Sequence, residues 1–152
     1  MSHQQAKSAR LITCAAFVVA ILSSDQLGAS DAWLSSADIQ STFGGQTIDG
    51  RYTDKRSFSE RYDNDGSLEY QEPFRRTAGR WSVQRDTFCT IYDRDPTGGC
   101  FRVKRVSSNC FEFYFVARSI EQASADPLRP DAWTARGWRR EMPSTCEDDA
   151  IA

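Results

Sequence analysis

The stretch SFSERYDNDGSLEYQEPF, residues 57–74, alternates its side chains on both flanks of Asn64-Asp65-Gly66, which is the pattern of two antiparallel strands joined by a tight turn. With Gly66 in the left-handed position of a three-residue loop, counting outward sets Asp63 against Ser67, Tyr62 against Leu68, Arg61 against Glu69 and Glu60 against Tyr70. Tyr62 and Leu68 then meet on one face, and the opposite charges of Arg61 and Glu69 meet on the other. A slip of one residue would destroy both pairs. Asp63, Asp65, Gly66 and Glu72 also stand at the offsets of a calcium loop, but Arg61 would occupy the first ligand position and no helix flanks the segment. The hairpin is the stronger reading.

Outward from this hairpin the chain is punctuated every seven to twelve residues, in the manner of an antiparallel meander. The pattern predicts strands at 46–53, 57–63, 67–74, 79–84, 87–92, 100–105 and 110–118, with a weaker eighth at 132–138. Phe111, Phe113 and Phe115 alternate with Glu112, Tyr114 and Val116, so the strand that carries them is expected to be partly covered on both sides. One helix is predicted over 33–43. Ser35 or Ser36 caps it, Asp38 sits in its first turn, and Gly44-Gly45 ends it. A meander of seven to eight strands with one short N-terminal helix fits a mainly β fold, a small antiparallel barrel that closes on itself and leaves no open edge.

The first thirty residues differ in kind. MSHQQAKSAR carries two positive charges, and residues 11–22, LITCAAFVVAIL, are uncharged. This is the pattern of a signal peptide, with cleavage expected between 24 and 30. Twelve helical residues span only about 18 Å, against about 30 Å of hydrocarbon, so no stable membrane insertion is expected once the leader is removed. Cys14 lies inside the apolar run rather than after it, which disfavours a lipid-anchor reading. The remainder, 31–152, reads as a single β-barrel domain whose tail from about 119 is less regular. The expected location is exported, periplasmic or secreted.

Loss of residues 1–30 removes His3, the only histidine, and leaves four cysteines, Cys89, Cys100, Cys110 and Cys146. Histidine-based catalysis and histidine-ligated metals are thereby excluded. Four cysteines in an exported chain imply two disulfides, in one of three connectivities. If FCTIYDRDPTGGCF, residues 88–101, is a hairpin, then Cys89 opposes Cys100, Phe88 opposes Phe101, Ile91 opposes Gly98, and Tyr92 opposes Thr97, with residues 93–96 as the turn. Cys110 and Cys146 remain as the second pair. By the chain-entropy relation the two closures contribute about 3 and about 4 kcal/mol. The cysteine spacing lacks the close pairs of a zinc site or a redox motif, so no metal and no cofactor is expected. The mature chain carries 17 basic and 20 acidic residues, once Lys7, Arg10 and Asp25 are left out with the leader. A net charge near −3 argues against nucleic acid as a partner.

The segments SADIQSTFGGQTIDG, SFSERYDNDGSLEY, GRWSVQRDTFCTIY and GGCFRVKRVSSNCFEFY, in this order, resemble a loose group of small exported bacterial proteins with a lipocalin-like, or calycin-like, β-barrel. The resemblance covers residues 35–114 and rests on structural motifs. It implies a fold, and it carries over no catalytic residue.

Three functional readings follow. The first is a non-enzymatic barrel that binds a small apolar or amphipathic ligand, lined by Tyr62, Tyr70, Trp81, Phe101, Phe113 and Tyr114, with Arg102 or Arg105 meeting an anionic group. The second is an interaction or inhibitor module for an envelope protein or a foreign enzyme. It would act through the 93–98 loop, where Asp93, Arg94 and Asp95 are held by the Cys89–Cys100 staple. The third is a hydrolase using paired carboxylates from Glu60, Glu72 and Glu112, for which no spacing in the sequence supplies the required separation.

Overall fold

The computed structural model describes residues 32–93, 95–125 and 128–147; the expected leader and its cleavage site lie outside these. In chain order the elements are β1 (Ala32–Trp33), α1 (Ser36–Phe43), β2 (Gln46–Tyr52), β3 (Ser57–Tyr62), β4 (Ser67–Glu72), β5 (Arg75–Gln84), β6 (Thr87–Tyr92), β7 (Asp95–Ser107), β8 (Cys110–Ala117), α2 (Ile120–Ala125) and β9 (Ala135–Arg139). Strands β2 to β8 pair antiparallel with their chain neighbours, and β9 inserts between β8 and β2. The sheet thereby closes into an eight-stranded barrel, and β1 adds a short stretch of pairing to β7 opposite Lys104 and Arg105.

The central hairpin has the register its sequence dictates: Tyr62 opposes Leu68, Arg61 opposes Glu69, and Glu60 opposes Tyr70. Gly66 has φ of +84°, the left-handed turn position that a side chain resists. Phe58, Glu60 and Tyr62 point inward and are buried, while Arg61 reaches Glu69 and Asp63 outside. Gly50 faces inward opposite Phe58, and a Cβ there would run into the Phe58 ring and lie 2.7 Å from the Arg136 carbonyl.

Helix α1 plugs one end of the barrel. Ser35 caps it, its Oγ accepting from the Asp38 backbone N–H at 3.2 Å while the Asp38 carboxylate accepts from the Ser35 N–H at 3.1 Å. Ile39 and Phe43 are fully buried, and the Phe43 ring lies 5.3 to 6.1 Å from those of Phe111, Phe88, Phe113 and Tyr62. The helix starts at Ser36 rather than residue 33, because Trp33 is taken by β1 and Ser35 is the cap.

Both disulfides form as expected, Cys89 with Cys100 across the β6–β7 hairpin and Cys110 with Cys146. The tip of that hairpin departs from the predicted register. Phe88 opposes Phe101 and Cys89 opposes Cys100, but Tyr92 opposes Asp95 rather than Thr97. Asp95 is therefore a strand residue. The extra residues of β7 form an irregularity between the partners of Thr90 and Tyr92, and Pro96, which has no N–H to give a ladder, falls within it. Phe74, expected at a strand end, is instead fully exposed in the turn between β4 and β5. In the tail, α2 packs its Ile120 and Ala123 over Cys89, Cys100, Val116 and Ala117, so the outer face of β8 is partly covered.

Candidate functional site

The strict alternation of β7 and β8 sorts the candidate residues into two sets. Phe101 and Val103 on β7 and Phe111 and Phe113 on β8 face the interior, so Arg102 and Tyr114, which oppose one another, face out. Across the β6 side of β7, the short β1 places Trp33 beside them. The Trp33 and Tyr114 rings meet edge to face at 4.9 Å, and the Arg102 guanidinium lies over Trp33 at 5.5 Å.

This cluster is one wall of a hollow of about 430 Å³. Val116, Ala123 and Leu128 supply apolar surface, and Arg85 and Arg129 bring two further guanidinium groups to its lining. No carboxylate lines it among the described residues, and none of the three arginines has an ion-pair partner there. The Nε of Arg102 is buried without a hydrogen-bond partner. Leaving a buried donor unmade costs about 1–3 kcal/mol, more for a charged group. Arg85 and the adjacent Asp86 both hold left-handed backbone, with φ of +51° and +58°. This two-residue turn between β5 and β6 is held by the Asp86 carboxylate, which accepts from Ser36 N–H at 2.7 Å and Ser36 Oγ at 3.0 Å, while Asp86 N–H donates to Ser36 Oγ at 2.7 Å. The α1 N-terminus thus holds the turn that carries Arg85, in a backbone conformation that costs a side-chain-bearing residue about 1 kcal/mol or more.

Tyr62, Tyr70, Trp81, Phe101 and Phe113 belong to the interior, which leaves a cavity of only about 50 Å³ near Glu60, lined by Phe101 and Phe113 but not by the other three. Ligand pockets for drug-sized molecules measure about 300–1,000 Å³, so the interior is filled by its own rings. Arg105 is separated from Arg102: it lies at the helix-plugged end, donating to Thr42 Oγ1 at 3.3 Å and standing 5.4 Å over the Phe111 ring. Of the eight candidate ligand residues, the fold therefore brings Arg102 and Tyr114 to one hollow and leaves the other six elsewhere. In the candidate interaction loop, Asp93 is exposed and its N–H donates to the Ala78 carbonyl at 2.8 Å, Arg94 lies outside the described residues, and Asp95 continues into β7.

The carboxylates go to different faces. Glu60 is interior, and Glu72 is half-buried, paired with Arg56 at 2.8 Å. Glu112 faces outward, accepting from Arg136 at 2.8 Å and from the Tyr114 hydroxyl at 2.7 Å. A wider groove of about 570 Å³ runs along the outside of β2 and β9, where Arg51, Lys55, Trp133 and Trp138 meet. Its Arg136 stacks on Trp133 at 4.5 Å and pairs with Glu112, and Glu147 also lines it, so its positive charge is in part matched.

Sequence reasoning missed Trp33, Arg85, Leu128 and Arg129. Trp33 reads as the start of a helix, and residues 128–129 lie in a tail without periodicity. The one available signal is the Arg85-Asp86 pair between two strand patterns, which marks a two-residue turn. Comparison of the chain with protein-family models, curated proteins and solved structures finds no match. The closed antiparallel barrel is compatible with a lipocalin-like fold.

Proposed function

We propose that this chain is an exported, non-enzymatic barrel protein that binds a small amphipathic anion in the outer hollow beside Trp33, Arg102 and Tyr114. The observation that carries the reading is a hollow with apolar walls and three guanidinium groups and, among the described residues, no carboxylate in its lining. A planar guanidinium fork is matched by a carboxylate or phosphate, which would meet the positive charge of the hollow. Val116, Ala123 and Leu128 offer a short hydrocarbon or ring its apolar contact. Export is supported by the leader pattern and by two disulfides. The lipocalin-like resemblance suggests a binding role, with the difference that the ligand would sit against the outside of the sheet.

Native mass spectrometry of protein taken from the periplasm is expected to retain an anionic amphiphile. Decanoate, followed by tryptophan fluorescence, is expected to give a saturable response that weakens by about tenfold or more in Arg102→Gln, a loss of about 1.4 kcal/mol. Decanol, with the same tail and no charge, should bind more weakly to the native chain. A clean apo mass together with a decanoate response unchanged in Arg102→Gln would overturn the reading.

A further inference from the structure

Period-two alternation on β3 places Glu60 between Phe58 and Tyr62 on the inward face, so a carboxyl group is built into an interior otherwise made of rings. Its Oε2 accepts from the Tyr62 hydroxyl and its Oε1 from the Tyr92 hydroxyl. Among the described residues no arginine or lysine pairs with it, and the influences on its ionisation are burial, foremost, and then these two tyrosines. An ionised carboxylate so placed lacks a counter-charge, which costs several kcal/mol after relaxation. It also keeps acceptor capacity in reserve, because a carboxylate has about four lone-pair sites and two are used.

The cavity of about 50 Å³ lies against this group. Tyr52, Phe58, Tyr92, Phe101 and Phe113 supply its aromatic walls, and Thr90 and Thr134 add hydroxyl groups. Tyr52, Tyr92 and Phe101 are only half-buried, so the cavity lies toward the solvent-reached end of the barrel, opposite the end that α1 fills. Aromatic faces carry the negative part of the ring quadrupole and attract a desolvated cation. A void lined by aromatic rings and one carboxylate without a cationic partner among the described residues therefore has the composition of a cation cage. Glu60 and the hydroxyls of Thr90 and Thr134 can accept from the N–H donors of ammonium or of a primary amine head, whereas a quaternary group has no N–H to give.

We propose that the open end of the barrel holds a second binding site, an aromatic cage closed by the Glu60 carboxylate, which takes a primary ammonium group. The site is independent of the outer hollow and uses none of its residues.

The test is a thermal-shift series on the disulfide-bonded chain in amine-free buffer at constant ionic strength. Methylammonium chloride is compared with tetramethylammonium chloride and sodium chloride. The melting temperature is expected to rise with methylammonium concentration, as mass action requires of a ligand that binds only the folded state, and to stay flat in the other two salts. Saturation-transfer NMR should detect contact between the methyl protons of methylammonium and aromatic protons. Glu60→Gln should abolish both signals. The comparison of methylammonium with tetramethylammonium within the native chain needs no variant and stands even if that substitution disturbs folding. An equal rise in all three salts, no rise in methylammonium, or an undiminished methylammonium response in a folded Glu60→Gln protein overturns the proposal.

Discussion

Glu60 sets the sharpest condition at the scale of single residues. Burial raises its carboxyl above the ordinary range and outweighs the opposing effect of the hydrogen bonds from Tyr62 and Tyr92. The groups facing it are those two hydroxyls, with the Tyr52 and Tyr70 hydroxyls bonded to one another at 3.1 Å nearby. Burial and the Glu60 charge push Tyr62 and Tyr92 upward, and burial raises Tyr52 to about 12, so none of them ionises near neutrality. An acid whose folded-state value lies above its unfolded value favours the fold while protonated. Its contribution is full below the unfolded value near 4.5 and is lost as pH rises toward the folded value, at about 1.4 kcal/mol per unit of displacement. In urea unfolding without amines, Glu60→Gln is therefore expected to gain on the native protein between pH 4 and pH 8. A constant difference across that range would contradict the assignment. The sequence placed Glu60 opposite Tyr70 and on the Tyr62 face. It did not reveal which hydroxyl would reach it, because Tyr92 lies 32 residues away and arrives only through the pairing of β4, β5 and β6.

At the scale of elements, β9 is the closing strand, and what holds it is the turn before β8. Asn109 is fully buried. Its Nδ2 donates among the carbonyls of Arg139, Met142 and Pro143 at 3.0–3.1 Å, and its Oδ1 accepts from the Arg139 N–H at 3.0 Å. The Asn109 N–H donates to Thr145 Oγ1 at 2.8 Å. One side chain thus satisfies the end of β9 and the turn that follows it. Asn109→Ala would strand several of these groups and is expected to cost roughly 2–3 kcal/mol. Hydrogen exchange should quicken first in β9 and the tail, ahead of β3 to β6. Uniform protection loss across all strands would argue against this local role. Hairpins were legible because their pairing is local and their turns carry the signal. The Asn109 cluster was not, since SSNC reads as an ordinary turn and its partners lie 30 or more residues away.

Over the whole molecule, stability depends on keeping the barrel closed. The Cys110–Cys146 bond links residues 36 apart and fixes the segment that follows β9, whereas Cys89–Cys100 spans 11 residues within a hairpin already paired by its backbone. Replacing Cys110 and Cys146 together by Ala is expected to cost about 4 kcal/mol, against about 3 kcal/mol for the Cys89 and Cys100 pair. Equilibrium urea unfolding of the two double variants checks the order, and a larger loss from the hairpin pair would refute it.

By itself the sequence determined what is read from neighbours in the chain: strand alternation, the 64–66 turn, the cap of α1 and the Cys89–Cys100 pairing. Those features rest on the two-residue period of a strand, on backbone preferences at turns and on short loop closures. Only the tertiary structure decided that β9 closes the sheet between β8 and β2, that Arg102 and Arg105 part company, and that Trp33 and Arg129, far apart in the chain, line one hollow. The reason is physical. Closure brings together residues with no local relation, and the sites that matter lie where curvature, bulges and covering segments leave space, none of which a local pattern encodes.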